Sequence, residues 1–267
     1  MFKNVVGIVN YDDIISFDNL MNAFIKAKRK NNMAGSDGIS PRNIIDSEKF
    51  VNDLKNELES GNYRPKKIIK QSTMKYDETC MIEFDVLCFS DRVIQYAIKN
   101  QLLPLINNLL LDYVCGYRGK VYKKRYFQYI DYFWNNNYKY IVSFDIQQFF
   151  KSIDKKKLMT QLNKYCDSLT LDLIEKQLFR DSDEYPLGHV LSPLLSNLYL
   201  INVDYEIYNK IGIFIRYGDN YIFPIKDNLE LKDKIECELE VILKNVNLKL
   251  NKNKVFIFSE YKDIGIL

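Results

Sequence analysis

The chain has 267 residues, of which 47% are hydrophobic and 27% are charged. These values allow a sizeable hydrophobic core and exclude disorder of the whole chain. The formal net charge of +3 permits an anionic partner but is too small to argue for one. Five scattered cysteines without CxxC spacing and a single histidine, His189, disfavour a zinc site or a disulfide framework. We expect a globular protein of a reducing, cytoplasmic compartment without a membrane span.

In the first half of the chain, hydrophobic periodicity predicts helices over residues 17–30 and 47–60. Alternation of apolar and polar residues over 65–89, around a polar turn at 75–78, predicts a β-hairpin. A further helix is expected to start at Ser90, a good N-cap residue.

The second half of the chain alternates predicted strands and helices. They are a strand at 139–145, a helix at 190–206, strands at 212–217 and 221–225 around a turn at 218–220, a helix at 229–246 and an extended segment at 248–258. This order predicts an α+β fold in which helices cover one face of an antiparallel sheet.

Two carboxylates lie where apolar strands end. Asp145 closes the strand 139–145, and Asp219 lies in the hairpin turn. Carboxylates together with substrate phosphates are ligands that Mg²⁺ prefers, and two metal ions can clamp a phosphoryl transfer. Each aspartate taken alone is better explained as an ordinary turn or strand-end residue. Sequence spacing does not bring the two together.

Four strings in the second half of the chain resemble the polymerase motifs A to D of reverse transcriptases. FDIQQFFKSID (144–154) is similar to motif A, and PLGHVLSPLLSNLYLINVD (186–204) is similar to motif B. FIRYGDNYIF (214–223) resembles the motif C hairpin, and VNLKLNKNKVFIF (246–258) resembles motif D with its lysine. All four occur in the family's order.

Four upstream strings are similar to fingers motifs of the same family. They are AGSDGIS (34–40), GNYRP (61–65), SDRVIQYAI (90–98) and CGYRGK (115–120). The resemblance includes the group II intron, retron, diversity-generating and abortive-infection branches, between which the motifs do not choose. It implies a right-hand polymerase fold with fingers over residues 1–138 and a palm over 139–267. The match ends just past motif D, so a fold without a thumb is expected.

The resemblance implies a metal site at Asp145 and Asp219, with the carbonyl of Ile146 as a further ligand. Mg²⁺, or Mn²⁺, is the implied cofactor. Phe150 matches the aromatic that packs under the nucleotide sugar and excludes a 2′-hydroxyl. Its alternative role is that of a core aromatic.

Further roles implied by the resemblance are less specific. Gly188 matches a backbone approach to the incoming base pair, and Lys254 matches a lysine that donates a proton to the leaving pyrophosphate. Arg118 lies in the most basic and aromatic stretch, where charge follows phosphates and rings stack on bases. An ordinary turn or solvated surface is the alternative for each of the three. His189 is expected to be structural.

Two departures from the family pattern affect the expected activity. Asn220 stands where the family has a second motif C aspartate, so the metal pair is held by one fewer anion. The lysine and arginine that grip the triphosphate in the fingers hairpin are not found at the matching positions. Lys70 or Lys75 could substitute, but a lysine lacks the bidentate grip of an arginine.

Two functions remain open. The first is an RNA-directed DNA polymerase of a bacterial retroelement or phage-defence system, using an RNA template, a DNA or RNA primer and deoxynucleoside triphosphates. The second is a weakened palm that binds nucleic acid or a partner protein. A partner protein or second subunit could supply the missing thumb.

Overall fold

The computed structural model describes residues 7–30, 33–74 and 81–260. It divides into two compact units, each built from two chain segments. The first unit comprises residues 1–108 and 153–195, and the second comprises residues 109–152 and 196–267. The expected boundary between residues 138 and 139 is not one of the positions at which the chain passes from one unit to the other. A contiguous division into fingers and palm stays a prediction.

Helices dominate the described part of the chain. They are α1 (Tyr11–Ile15), α2 (Phe17–Lys30), α3 (Ser47–Glu59), α4 (Phe89–Leu109), α5 (Lys120–Asn135), α6 (Phe149–Ser152), α7 (Lys155–Leu162), α8 (Ser168–Leu178), α9 (Ser192–Tyr199), α10 (Ile201–Lys210) and α11 (Leu231–Asn245), with a short 3₁₀ helix at Pro41–Asn43. The strands are β1 (Ile69–Met74), β2 (Met81–Val86), β3 (Tyr140–Ile146), β4 (Ile215–Tyr217), β5 (Asn220–Ile225) and β6 (Leu250–Phe258).

In the first unit, β1 and β2 form an antiparallel hairpin in which Ile69 pairs with Val86 and Met74 pairs with Met81. The expected turn at 75–78 lies outside the described residues. Asp46, Asp154 and Asp167 cap the N-termini of α3, α7 and α8, because each carboxylate accepts a hydrogen bond from a backbone N–H of the first turn.

The second unit is built on a four-stranded sheet in the order β4-β5-β3-β6, with every neighbouring pair antiparallel. β3 lies inside this sheet, and its residues Ile141, Val142 and Phe144 are buried. A strand that is paired on both sides and covered on both faces needs a nearly continuous run of apolar residues, and the sequence of β3 has such a run. The site residues follow directly at its carboxyl end.

Helices cover the two faces of this sheet. On one face, α10 is tied to β5 by a hydrogen bond from the Tyr221 hydroxyl to Asp204. On the other face, Ile130 and Phe133 of α5 belong to one buried cluster with Ile141. The α+β class is confirmed, and α5 adds a layer to the face that the sequence analysis left uncovered.

Most predicted elements are confirmed within two or three residues. The predicted helix 190–206 is wrong in one respect, since it is divided into α9 and α10 at Leu200, where ψ is −2°. Neither proline nor glycine lies at this break, and nothing in the structure explains it. Among the described residues, no helix is both long enough and apolar enough to cross a membrane.

Candidate polymerase active site

The carboxyl end of β3 and the β4–β5 hairpin bring the two predicted aspartates together. Asp145 pairs in register with Asn220, the first residue of β5. Gly218 and Asp219 form the two-residue turn of the hairpin, and Gly218 has a φ of 69°. The backbone N–H of Ile146 donates to the carbonyl of Asp219 at 3.2 Å. Antiparallel pairing therefore fixes one aspartate beside the other, although they are 74 positions apart in the sequence.

Charge repulsion between the two carboxylates is visible at Asp219. Burial raises the pKa of Asp219, and the nearby charge of Asp145 raises it further, while Lys254 and Arg216 act in the opposite direction. Two carboxylates that repel each other across a partly buried site are favourable ligands for a divalent cation, because the cation offsets both charges.

Strand β6 brings one side chain to Asp145 and another close to Asp219. Its pairing with β3 is interrupted, so that residues 251–254 face Asp145 alone. Within this bulge, the amide nitrogen of Asn251 donates to a carboxylate oxygen of Asp145 at 3.0 Å. Lys254 lies close enough to Asp219 to lower its pKa. The position predicted for Lys254 is thus consistent with a role at the site.

Asn251 is a site residue that sequence reasoning missed. Its hydrogen bond joins residues 106 positions apart, and it depends on a bulge in the β3–β6 pairing. The one available signal was its place in the motif D string, three residues before Lys254.

Phe150 lies in the first turn of α6, directly after the site strand. Its ring is half-buried and contacts the ring of Phe149 edge-on at a centroid distance of 5.7 Å. Before it, Gln148 has a φ of 46°, and the N–H of Gln147 donates to the carbonyl of Lys249 at 2.8 Å. This bond ties the chain that follows Asp145 to the turn before β6. The sugar-selecting role of Phe150 stays a prediction.

The guanidinium of Arg118 faces into its own loop. Arg118 is 6% exposed and donates to the carbonyls of Leu111 and Val114, both at 2.9 Å. It also lies over the ring of Tyr122 at 3.6 Å from the centroid. These contacts hold the loop before α5 together. They do not favour the predicted contact between this side chain and a nucleotide phosphate.

Gly188 belongs to the first compact unit and packs against β2. It has a φ of +89°, and a Cβ at this position would lie 2.5 Å from the carbonyl oxygen of Asp85. The N–H of Asp85 donates to the carbonyl of Leu187 at 2.9 Å. Only glycine fits between these backbones, for a reason separate from the predicted approach to a base pair.

His189, which is expected to be structural, is buried and is held by two neighbours of the same unit. Its Nδ1 is 2.9 Å from the amide nitrogen of Gln95, and its Nε2 is 3.2 Å from a carboxylate oxygen of Asp85. The side-chain amide oxygen of Gln95 accepts from the N–H of Val190, so the amide nitrogen of the same side chain donates to His189. The imidazole is therefore neutral with its proton on Nε2, and burial lowers its pKa.

Of the two lysines predicted to contact the triphosphate, one lies among the described residues. Lys70 lies on β1 in the first unit, and its ammonium pairs with Glu83 across the hairpin at 3.3 Å. The hydrogen bond to Glu83 raises its pKa. Lys75 lies outside the described residues. A contact between either lysine and a triphosphate stays a prediction.

The donor set at the end of β3 suits a hard divalent cation. Asp145, Asp219 and the amide oxygen of Asn220 are oxygen donors, and Mg²⁺ commonly takes its remaining ligands from substrate phosphates and water. In the described part of the chain, no cluster of three or more histidine, cysteine, aspartate or glutamate side chains could hold a metal ion. The carboxylates of this donor set are those of Asp145 and Asp219, and Asn220 adds a neutral amide oxygen.

The antiparallel sheet carries one aspartate at the end of β3 and one in the β4–β5 turn, an arrangement consistent with a reverse transcriptase palm. Residues 81–267 match the family model described as "Reverse transcriptase (RNA-dependent DNA polymerase)". This match covers well over half of the chain, and the protein belongs to the reverse transcriptase family.

Two curated relatives are similar to part of this chain. The chain is 26% identical over 218 residues to "Group II intron-encoded protein LtrA" of Lactococcus lactis subsp. cremoris, and equally to that protein from strain MG1363. The similar region covers 72% of this chain and 35% of each relative. The chain therefore spans about a third of the length of the curated relatives it matches.

Proposed function

We propose that this protein is an RNA-directed DNA polymerase that extends a primer on an RNA template. One observation carries the proposal: Asp145 and Asp219, at the end of β3 and in the β4–β5 turn, lie close enough for their charges to interact. Membership of the reverse transcriptase family supports the same reaction. The substrates would be deoxynucleoside triphosphates, an RNA template and a DNA or RNA primer.

In the proposed reaction, the primer 3′-oxygen forms a bond to the α-phosphorus of the nucleotide while the bond to pyrophosphate breaks. Asp145 and Asp219 would hold Mg²⁺ or Mn²⁺, which supplies positive charge for the reacting oxygens. Asn251 orients the Asp145 carboxylate through its hydrogen bond. Lys254, close to Asp219, can donate a proton or positive charge to the leaving pyrophosphate.

The similarity to a group II intron-encoded protein supports a retroelement as the biological setting of this activity. A partner protein or second subunit that binds the polymerase belongs to the same proposal. A role in phage defence is the alternative setting.

A second candidate function is a weakened palm that binds nucleic acid or a partner protein. Asn220 favours it, because this residue lies directly opposite Asp145 and places a neutral amide on the same face of the sheet. The site then carries one carboxylate fewer than the family pattern, and weaker Mg²⁺ binding is expected.

Primer extension on an RNA template, in Mg²⁺ and in Mn²⁺, tests the two functions. Extension should fall to background in Asp145→Ala. The Asn220→Asp variant should need a lower Mg²⁺ concentration for half-maximal extension, because it adds a carboxylate to the ligands of the metal site. Synthesis that persists in Asp145→Ala would contradict the metal site. An inactive wild type and an active Asn220→Asp variant would support the binding module instead.

A further inference from the structure

A fully buried ionic network lies behind the Asp219 turn. The Arg216 guanidinium is 0% exposed and donates to both carboxylate oxygens of Asp204, at 2.8 and 2.7 Å. Its remaining terminal nitrogen donates to the carbonyl of Gly218 at 2.9 Å and to the amide oxygen of Asn197 at 2.8 Å. One side chain thus joins α10, α9 and the residue before Asp219.

The same network holds the loop in front of α5 against the turn. The amide nitrogen of Asn197 donates to the carbonyl of Gly116 at 2.9 Å. The backbone carbonyl of Arg216 accepts from the N–H of Cys115 at 2.8 Å. A Cβ at Gly116 would lie 2.3 Å from the backbone nitrogen of Gly218, so the two backbones are in close contact. The turn is therefore enclosed on both sides.

Stability alone does not explain the buried ion pair between Arg216 and Asp204. Removing two charges from water is costly, and an apolar replacement of similar volume is often equally stable or more stable. An apolar side chain, however, would leave the buried carbonyl of Gly218 without its donor, and the turn would lose its fixed position. The planar, five-donor fork of arginine is what allows one residue to serve Asp204, Asn197 and Gly218 together.

We propose that Arg216, held by Asp204 and Asn197, is a positioning residue that fixes the Gly218–Asp219 turn and thereby sets the affinity of the site for its divalent cation. This inference rests on the proposed function. Arg216 does not touch the ion or the substrate; it acts through the carbonyl of Gly218. Partners that orient a metal-ligating residue change metal affinity by about 10- to 100-fold when they are removed.

The test measures Mn²⁺ binding by electron paramagnetic resonance in a complex with an RNA template, a 3′-deoxy primer and the next deoxynucleotide, so that no chemistry occurs. Arg216→Lys keeps the positive charge but lacks the planar guanidinium that donates to several acceptors at once. The Mn²⁺ dissociation constant should therefore rise by about 10- to 100-fold. Thermal unfolding of each variant is recorded in parallel to show that the variants are folded at the temperature of the titration.

Two matched variants separate positioning from stability. Tyr221→Phe removes only the hydroxyl that donates to Asp204, leaving the bond from Arg216 to Gly218, and should keep the Mn²⁺ dissociation constant within about twofold. Arg180→Lys weakens a second buried ion pair, between Arg180 and Asp91 at 2.7 Å, which belongs to the other unit. This variant should also keep the Mn²⁺ dissociation constant within about twofold. Should Arg216→Lys not fold, Asn197→Ser removes one Arg216 partner and should still weaken Mn²⁺ binding.

The outcomes are distinct. Unchanged Mn²⁺ affinity in folded Arg216→Lys, or an equal loss in Arg180→Lys, overturns the positioning role and leaves the proposed function intact. A wild type that binds no Mn²⁺, or binds it as well as Asp145→Ala does, refutes the metal site of the proposed function and the positioning role with it.

Discussion

The ring of Phe150 is half-buried and lies five residues after Asp145, at the start of α6. Its neighbour Phe149 is 2% exposed and points into the core. Phe149 thus packs in the core, whereas Phe150 is less buried, and its predicted place under a nucleotide sugar stays a prediction.

We expect Phe150→Ala to admit ribonucleotides, because the ring that would collide with a 2′-hydroxyl is removed. The ratio of ribonucleotide to deoxynucleotide incorporation should rise by roughly 10- to 100-fold, which single-nucleotide primer extension measures. Phe150→Tyr keeps the bulk and should keep the selectivity. An unchanged ratio in Phe150→Ala would leave this residue as a core aromatic.

At Gly188 the backbone contact with Asp85 and the positive φ act together. Gly188→Ala should lower the free energy of unfolding by roughly 2–4 kcal/mol, since strain and a collision with backbone add. Gly61→Ala is the control, because Gly61 has a φ of +68° with no atom within 4 Å of the added Cβ, and should cost about 1 kcal/mol. Equal losses in urea unfolding would contradict the close contact.

At the scale of elements, capping residues connect segments that are distant in the chain. Asp167 accepts from the N–H of Thr170 at 2.7 Å as the N-cap of α8. Its second oxygen accepts from the N–H of Tyr11 at 2.8 Å, which anchors the start of α1. Burial raises the pKa of Asp167, but these hydrogen bonds outweigh burial and lower it overall.

Asp167→Ala should therefore destabilise the protein more than the loss of an ordinary cap. We expect a loss of roughly 2–3 kcal/mol in urea unfolding at pH 7, against about 1 kcal/mol for Asp154→Ala, whose carboxylate caps α7 at an exposed position. Because the folded-state pKa of Asp167 is lowered, this contribution is present above the usual carboxyl pKa and decreases as the pH falls through the lowered value. Equal losses for the two variants would contradict the anchoring of α1.

At the scale of the whole molecule, His189 is expected to contribute to the pH dependence of stability near neutrality. His189 is the single histidine in the sequence, and its imidazole is buried between Asp85 and Gln95. The nearby charges of Asp91 and Arg180 have opposite effects on it. Burial outweighs the attraction of Asp85, so the folded protein holds the neutral ring.

Since the folded-state pKa of His189 is lowered below its unfolded value, the unfolded chain binds the proton more readily. The free energy of unfolding should be highest above about pH 6.5 and should fall below it by up to about 1.4 kcal/mol per pH unit. His189→Gln, which cannot titrate, should show a flatter profile between pH 5.5 and 7.5 in urea unfolding. Parallel profiles of the two proteins would contradict this assignment.

The local elements and the family could be predicted from the sequence alone. The helix 17–30 follows from a 3.6-residue apolar period, and the turn at Gly218 and Asp219 follows from residues that tolerate tight turns. The motif strings predicted the family and placed Asp145 and Asp219 in one site. The helix and the turn depend on residues close together along the chain, whereas the common site of the two aspartates was implied by the family resemblance.

The contacts between groups that are distant in the sequence could not be predicted and depend on tertiary packing. The bond from Asn251 to Asp145 depends on a bulge between strands, and the burial of Arg118 depends on how its loop folds. The Arg216 network joins two helices and a turn. Strand register and burial are set by the summed packing of the whole unit, and a local pattern of apolar and polar residues does not carry that information.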